Sequence, residues 1–338
     1  MLFLNFASSK FYNTMINILI GLIVFLVVAT LVQFVRVGEL LSEITGKNPN
    51  EVTDNDNNNQ GRLVLLVGFG FLLFVIWQMI EWNHVILPPA SSLHGQQIDA
   101  LMDISMGLIL FVFFIVSPML FYFAYKYRGN SKNKAYFFAH NNKLEVVWTV
   151  VPTIVLTALI IYGLKVWDES MNVDTTGSTV IEVYSKQFDW TARYSGTDNV
   201  LGKSDFRLVK GKNTLGVDMS DKNAQDDIVV REVHLPVNKP VLLMFRSRDV
   251  IHSAFLPHFR VQMNCVPGLS TQFAFTPTKT TKEMKEDYGD DFEYVLLCNK
   301  ICGSAHFNMQ MKFIVETEEE YNKWLSSKKK LKNSLTLK

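Results

Sequence analysis

The chain has 338 residues, 48% of them hydrophobic and 19% charged, with a formal net charge of +1. That balance is too apolar for an ordinary soluble protein, too charged for a chain held wholly in lipid, and offers no basic surplus for nucleic acid. Three cysteines, two of them four residues apart, argue against a disulfide framework and for a metal site.

Four apolar runs fill the first half: Met15 to Val35, Leu63 to Ile80, Leu101 to Ala124 and Val146 to Val166. Each reaches the ~18–20 residues that span a ~30 Å hydrocarbon core, so four transmembrane helices are predicted. The first reads as a retained helix, not a signal peptide. Its run is longer than a typical signal core, and no clean small-residue cleavage site follows, Val28-Ala29-Thr30 being the nearest. Between the third and fourth runs lie Lys126, Arg128, Lys132, Lys134 and Lys143 with no acid, which places this loop in the cytoplasm and the C-terminal half outside it. On the same side as that loop, Asn55-Asp56-Asn57-Asn58-Asn59-Gln60 reads as a flexible polar linker. Asp99 and Asp103 read as helix-start acids favoured by the dipole. Glu145, at the cytoplasmic start of the fourth helix, has the same reading and a second one, a proton-collecting carboxylate.

After Trp167 the pattern changes to short segments. Met309, Met311, Phe313 and Val315 alternate with Gln310, Lys312, Ile314 and Glu316, a largely two-residue period. Val241-Leu-Leu-Met-Phe245, Gln272-Phe-Ala-Phe275 and Phe292-Glu-Tyr-Val-Leu-Leu297 read as further strands, punctuated by Pro267-Gly268, Pro277 and Gly289. Strands at this spacing predict a β-sandwich or barrel. Tyr321 to Lys330 reads as a solvated basic tail with helical character.

The chemistry concentrates in Cys298-Asn-Lys-Ile-Cys302-Gly-Ser-Ala-His306-Phe-Asn-Met309, with His252 upstream in Asp249-Val-Ile-His252-Ser253. Two Cys and two His satisfy a structural zinc count, so zinc competes. Met309 favours copper, because a thioether is a poor zinc ligand and a common weak copper ligand. A single electron-transfer copper uses one Cys. The second makes sense if two coppers share both sulfurs and each takes one His.

This pattern resembles the copper A centre of cytochrome c oxidase subunit II. His94-Gly-Gln-Gln-Ile-Asp99, Leu144-Glu145-Val-Val-Trp148-Thr149-Val-Val-Pro152, Lys186-Gln187-Phe188-Asp189-Trp190 and Pro267-Gly268 extend the resemblance over roughly His94 to Trp324. The resemblance implies a cupredoxin-like Greek-key sandwich outside the membrane, behind a transmembrane helical half. It implies a binuclear copper held by His252, Cys298, the Lys300 backbone carbonyl, Cys302, His306 and Met309. That centre would take electrons from a cytochrome c, soluble or part of a respiratory supercomplex, and pass them to haem in subunit I. Glu145 then matches a carboxylate at the mouth of a proton channel, and Phe188 and Trp190 match the aromatic segment that receives electrons. The expected divisions are two additional helices with a cytoplasmic loop in 1–90, a helical hairpin in 91–170, the copper domain in 171–320 and a basic tail in 321–338. The expected setting is a bacterial cytoplasmic membrane, with the other oxidase subunits as partners.

The chain departs from the family in four respects. Two N-terminal helices are additional, and docking of a neighbouring respiratory complex is one role for them. Lys300 and Asn264 stand where the family has acids near a magnesium ion at the subunit I interface. A cationic side chain cannot ligate Mg2+, so that ion is expected to be absent. Phe188 replaces the family's exposed Trp, and the acids Glu283, Glu286, Asp287, Asp290 and Asp291 are candidates for attracting a basic donor, or else a solvated loop. No Cys-x-x-Cys-His occurs, so no covalent haem is expected in this chain. Cys265 reads as a small buried residue and His258 as surface or interface. A membrane-tethered copper chaperone or storage module is the competing reading. A quinol-oxidase subunit would lack the thiol–imidazole cluster, and a nitrous-oxide reductase would lack these helices.

Overall fold

The computed structural model describes residues 2–44, 46, 51–172 and 174–332, with side chains from residue 16 onward. Two compact units are formed, one from Met1–Phe74 with Ile115–Phe137, the other from Val75–Phe114 with Phe138–Lys338. Among the described residues, four helices are long and apolar enough to cross a membrane: α1 (Leu2–Ile44), α2 (Asp54–Ile86), α3 (Leu93–Lys126) and α4 (Asn142–Met171). All four exceed the apolar runs that announce them, because polar turns extend each helix beyond the lipid-length core.

In the first unit, α2 and the C-terminal part of α3 pack through a small residue. A Cβ on Gly68 would lie 2.2 Å from the Phe121 ring, so only glycine lets these backbones approach. The run Asn55–Gln60 is not a linker but the opening of α2. Thr53 and Asp56 cap it reciprocally, Asp56 Oδ2 accepting from Thr53 N–H at 3.0 Å. Its polar side chains bond the end of α3: Asn58 Oδ1 accepts from Arg128 Nε at 2.6 Å, and Asp54 Oδ1 from Ser131 N–H at 2.8 Å. Local polarity alone marks such a stretch as unstructured, and only these partners make it helical.

The second unit is dominated by a sandwich of two five-stranded sheets, a cupredoxin-like fold. One sheet orders β3 (Ile228–Val230), β2 (Asp189–Tyr194), β1 (Thr179–Lys186), β5 (Val241–Ser247) and β8 (Thr271–Phe275). The other orders β4 (Val233–Pro236), β10 (Gln310–Glu316), β9 (Tyr294–Cys298), β6 (His252–Leu256) and β7 (Val261–Cys265). The pairs β1–β5 and β4–β10 are parallel, the remaining ladders antiparallel. Alternation drives this packing: Met311, Phe313 and Val315 of β10 face inward onto Leu243, Phe245 and Leu256 in one core.

Two sequence readings change here. Asp99 sits in the second turn of α3, and its carboxylate takes a two-pronged bond from Arg260, at 2.7 and 2.9 Å. It is an ion-pair partner and not a dipole-favoured starting acid. Arg260 also donates to the Pro88 carbonyl at 2.6 Å, and Ser91 and Leu93 exchange backbone bonds with His258, Thr276 and Thr278. The segment read as a solvated tail begins with α6 (Glu318–Ser327), whose Tyr321 is buried and whose Trp324 stacks on His234 at 4.0 Å. Beyond α6, Leu331 is buried in a small cluster with Leu215, Val217 and Ala224 of the long β2–β3 connection. Charge density concealed these aromatic contacts.

That connection is anchored by a buried polar network. Arg193 Nε donates to Glu182 at 2.8 Å, and its Nη1 donates to Asp227 at 2.8 Å and to the Gly202 carbonyl at 2.9 Å. Arg246 bonds the second oxygen of Glu182. Burial works against the Glu182 carboxylate, but the two guanidiniums overcome it and hold its pKa below the ordinary range. At Asp227 burial outweighs Arg193 and lifts the pKa to about 6.

Candidate metal centre

The ladder between β6 and β9 opposes Ala254 to Cys298, which sets His252, at the start of β6, beside the last residue of β9. The chain then leaves the sheet and returns as β10 after Met309. Cys298 N–H donates to the Met309 carbonyl at 3.1 Å and closes this loop at its base. A short 3-10 turn, His306–Asn308, brings Met309 back under the thiols. At Gly303, φ is +142°, and an added Cβ would strike the Phe188 ring at 2.7 Å.

The loop therefore gathers every side chain of the sequence-predicted ligand set. Cys298 Sγ lies 3.9 Å from Cys302 Sγ and 3.8 Å from His252 Nδ1. Cys302 Sγ lies 3.6 Å from His306 Nδ1 and 3.8 Å from Met309 Sδ. The Lys300 carbonyl lies 3.3 Å from Cys298 Sγ, while the Lys300 side chain is exposed. His252, Cys298, Cys302 and Met309 are buried. One donor atom from each of His252, Cys298 and Cys302 lies within 4.8 Å of the others, spacing that suits an ion bonded at about 2.0–2.3 Å to nitrogen and sulfur. Each sulfur has its own imidazole, so the donors fit a pair of soft ions bridged by both thiols. Burial and then the adjacent Cys298 push the Cys302 thiol up to about 11. A bound cation is what makes such a thiol give up its proton.

Groups beyond the ligand set hold it in place. Asp249 Oδ1 faces His252 Nε2 at 2.9 Å, so the imidazole turns Nδ1 to the thiols. The other Asp249 oxygen accepts from Gln187 N–H at 2.8 Å, and Gln187 Nε2 donates to the Cys302 carbonyl at 2.5 Å. The sequence motifs contain Asp249 and Gln187 but give neither a role. The three-residue step from Asp249 to His252 was the available signal. Trp190 Nε1–H points at the Met309 carbonyl, 3.4 Å away, and its ring meets His252 edge-on at 6.1 Å. Trp190 is buried at 1% exposure, whereas Phe188 is half-buried against the loop.

Other candidates lie elsewhere. Asn264 is exposed on β7 opposite Ser253, whose carbonyl accepts from Asn299 N–H, the residue before Lys300. Cys265 is buried, its thiol raised to about 12 by burial. His258 is half-buried with its ring edge-on to Phe292 and Tyr294, and burial lowers its pKa. Glu145 lies in the first turn of α4, where Asn141 N–H reaches its Oε1 at 3.4 Å. The acids of α5 (Thr281–Tyr288) and the turn after it belong to the far end of β9. Glu283 caps its own helix and Asp287 pairs with Lys279 at 3.1 Å.

Residues 64–166 match the cytochrome c oxidase subunit II transmembrane domain, and residues 179–317 its periplasmic domain. The first match opens within α2, so it takes in more of the chain than the motifs from His94 onward. The alternative cytochrome c oxidase subunit 2 of Bradyrhizobium diazoefficiens is 32% identical over 79% of this chain and 91% of its own length. Cytochrome c oxidase subunit 2 of a Synechocystis species is 23% identical over 78% of this chain and 82% of its own. The crystal structure of the periplasmic domain of cytochrome oxidase subunit II from Bradyrhizobium japonicum is 27% identical, covers 44% of this chain and 91% of that one, and superposes with a TM-score of 0.30. The chain is a multi-pass membrane protein with a periplasmic domain, and it belongs to the cytochrome c oxidase subunit II family, the copper A-bearing electron-transfer subunit of an oxidoreductase complex.

Proposed function

We propose that this chain holds two copper ions on His252, Cys298, Cys302, His306 and Met309, with the Lys300 carbonyl, and carries electrons from a c-type haem toward haem in subunit I of a bacterial cytoplasmic-membrane oxidase. The observation that carries this reading is the pairing of each thiol with its own imidazole, 3.8 and 3.6 Å away, across a 3.9 Å sulfur–sulfur gap. Copper held on these side chains would supply a delocalised one-electron carrier. This chain's residues do the rest. Asp249 fixes the His252 ring, Gln187 ties the Cys302 carbonyl to the β1–β2 turn, and burial keeps water from the thiols. Phe188, half-buried against the copper loop, takes the electron-entry role, and Trp190 supports the site from within. Glu145 serves as the mouth of a proton path into subunit I.

Magnesium is absent beside this loop, because Lys300 and Asn264 offer no carboxylate and the ammonium supplies the positive charge. Electron paramagnetic resonance and elemental analysis of the purified oxidase test the whole reading. Two coppers per chain with a delocalised spin are expected, and no magnesium at this interface. A single-copper spectrum sinks the first expectation, and stoichiometric interfacial magnesium sinks the second.

A further inference from the structure

We propose that Trp190 is a positioning residue for the weak thioether ligand. Its indole fixes where Met309 stands against the two thiols, and so tunes the reduction potential of the centre. This deepens the two-copper reading above and rests on it.

Met309 ends the copper loop, and its side chain and main chain do different work. Its sulfur lies 3.8 Å from Cys302 Sγ. A methionine side chain has three rotatable bonds and a soft, adaptable thioether, so nothing within it fixes that distance. The anchor has to be the backbone and whatever packs on it. Two donors converge on the Met309 carbonyl. Cys298 N–H reaches it at 3.1 Å, from the base of the same loop. The Trp190 indole Nε1–H reaches it at 3.4 Å. Trp190 lies on β2, paired with Ser185 of β1, so of these two donors only the indole crosses from the opposite sheet.

A bond of that length contributes little energy of its own. Its effect comes from direction and from the bulk behind it. Trp190 heads the largest fully buried side chains among the described residues, and it shares one core cluster with Cys298, Cys302 and Met309. An indole N–H so deeply buried needs an acceptor, and the Met309 carbonyl is the one it meets. The ring edge also faces His252 at 6.1 Å. One rigid side chain therefore borders both halves of the ligand set, Cys298 with His252 on one side and Cys302 with Met309 on the other. A weak axial thioether tunes a copper potential through how strongly it donates to the oxidised metal. Loosening its anchor weakens that donation and raises the potential. Plain core filling would require the ring but not the N–H.

Trp190→Phe keeps a buried ring and removes the N–H. In the purified oxidase it is expected to retain both coppers by elemental analysis and to alter the hyperfine pattern of the paramagnetic resonance spectrum. Its equilibrium with a one-electron mediator is expected to shift at least about threefold toward the reduced centre. Met309→Leu removes the thioether itself. In that background Trp190→Phe is expected to add nothing, because the two residues act through one contact. An unchanged potential and spectrum in Trp190→Phe at full copper content overturns the proposal. So does a shift of the same size in the Met309→Leu background, which assigns the effect to His252 or to core filling. Should Trp190→Phe lose copper, replacement of the indole by benzothiophene removes the N–H at nearly the same shape, and the same two outcomes decide. Should the two-copper reading itself be wrong, the wild-type oxidase will lack the delocalised spin before any variant is made.

Discussion

Asp249 joins three pieces of chain that are distant in sequence: the β5–β6 loop it belongs to, the ring of His252, and the β1–β2 turn through Gln187. A carboxylate on the outer nitrogen of a ligating histidine fixes its tautomer and sharpens its basicity. Asp249→Ala is expected to lower copper affinity by about 10–100-fold while leaving the sandwich folded, read by copper retention during chelator titration. Unchanged retention would mean that Gln187 and the backbone suffice to hold His252. At this scale the clustering of the candidate ligands was legible because two thiols, an imidazole and a thioether occupy one short loop. Their supports were not, since a bond from Gln187 to Cys302 spans 115 positions and leaves no local pattern.

Among the elements, the strands with clean alternation were readable. β10 buries every second residue as its sequence says. The short strands β3 and β4 carry too few residues for a period, and the β2–β3 connection takes its order from Arg193 and Leu331, one in a strand and one near the other end of the chain. The helices were legible in number, and their polar extensions were not. Gly68 shows why: nothing around it in sequence marks it as the contact with Phe121. Gly68→Leu is expected to force α2 and α3 apart and reduce the yield of folded chain, whereas Gly70→Leu, whose Cβ position is open, is tolerated. Equal yields of the two variants in membrane extracts would remove Gly68 from the helix contact.

For the whole molecule, the buried Arg193 network makes stability depend on pH. The folded Asp227 carboxyl has a pKa of about 6 against an ordinary 3.8, so between these values the folded chain keeps a proton that the unfolded chain has lost. Stability therefore falls as pH rises through that window, by on the order of 2–3 kcal/mol. Glu182 acts in the opposite sense at lower pH. Its folded pKa is depressed, so its stabilisation is lost only as pH falls below the ordinary carboxylate range. Urea unfolding of the purified chain at pH 4.5 and 6.5 should show the difference, and Asp227→Asn should flatten it. A slope that survives Asp227→Asn would place its origin elsewhere.

The grip of Arg260 on Asp99 and Pro88 bears on how this protein can be divided in the laboratory. A soluble fragment begun after α4 discards both of those partners, together with the backbone bonds that Ser91 and Leu93 make to His258, Thr276 and Thr278. The guanidinium, 7% exposed in the intact chain, would then face solvent beside a row of unpaired peptide groups. Such a fragment carries a raw edge on the side away from the thiols, prone to self-association there. A graft of the Pro88–Asp99 segment is the remedy that the geometry prescribes.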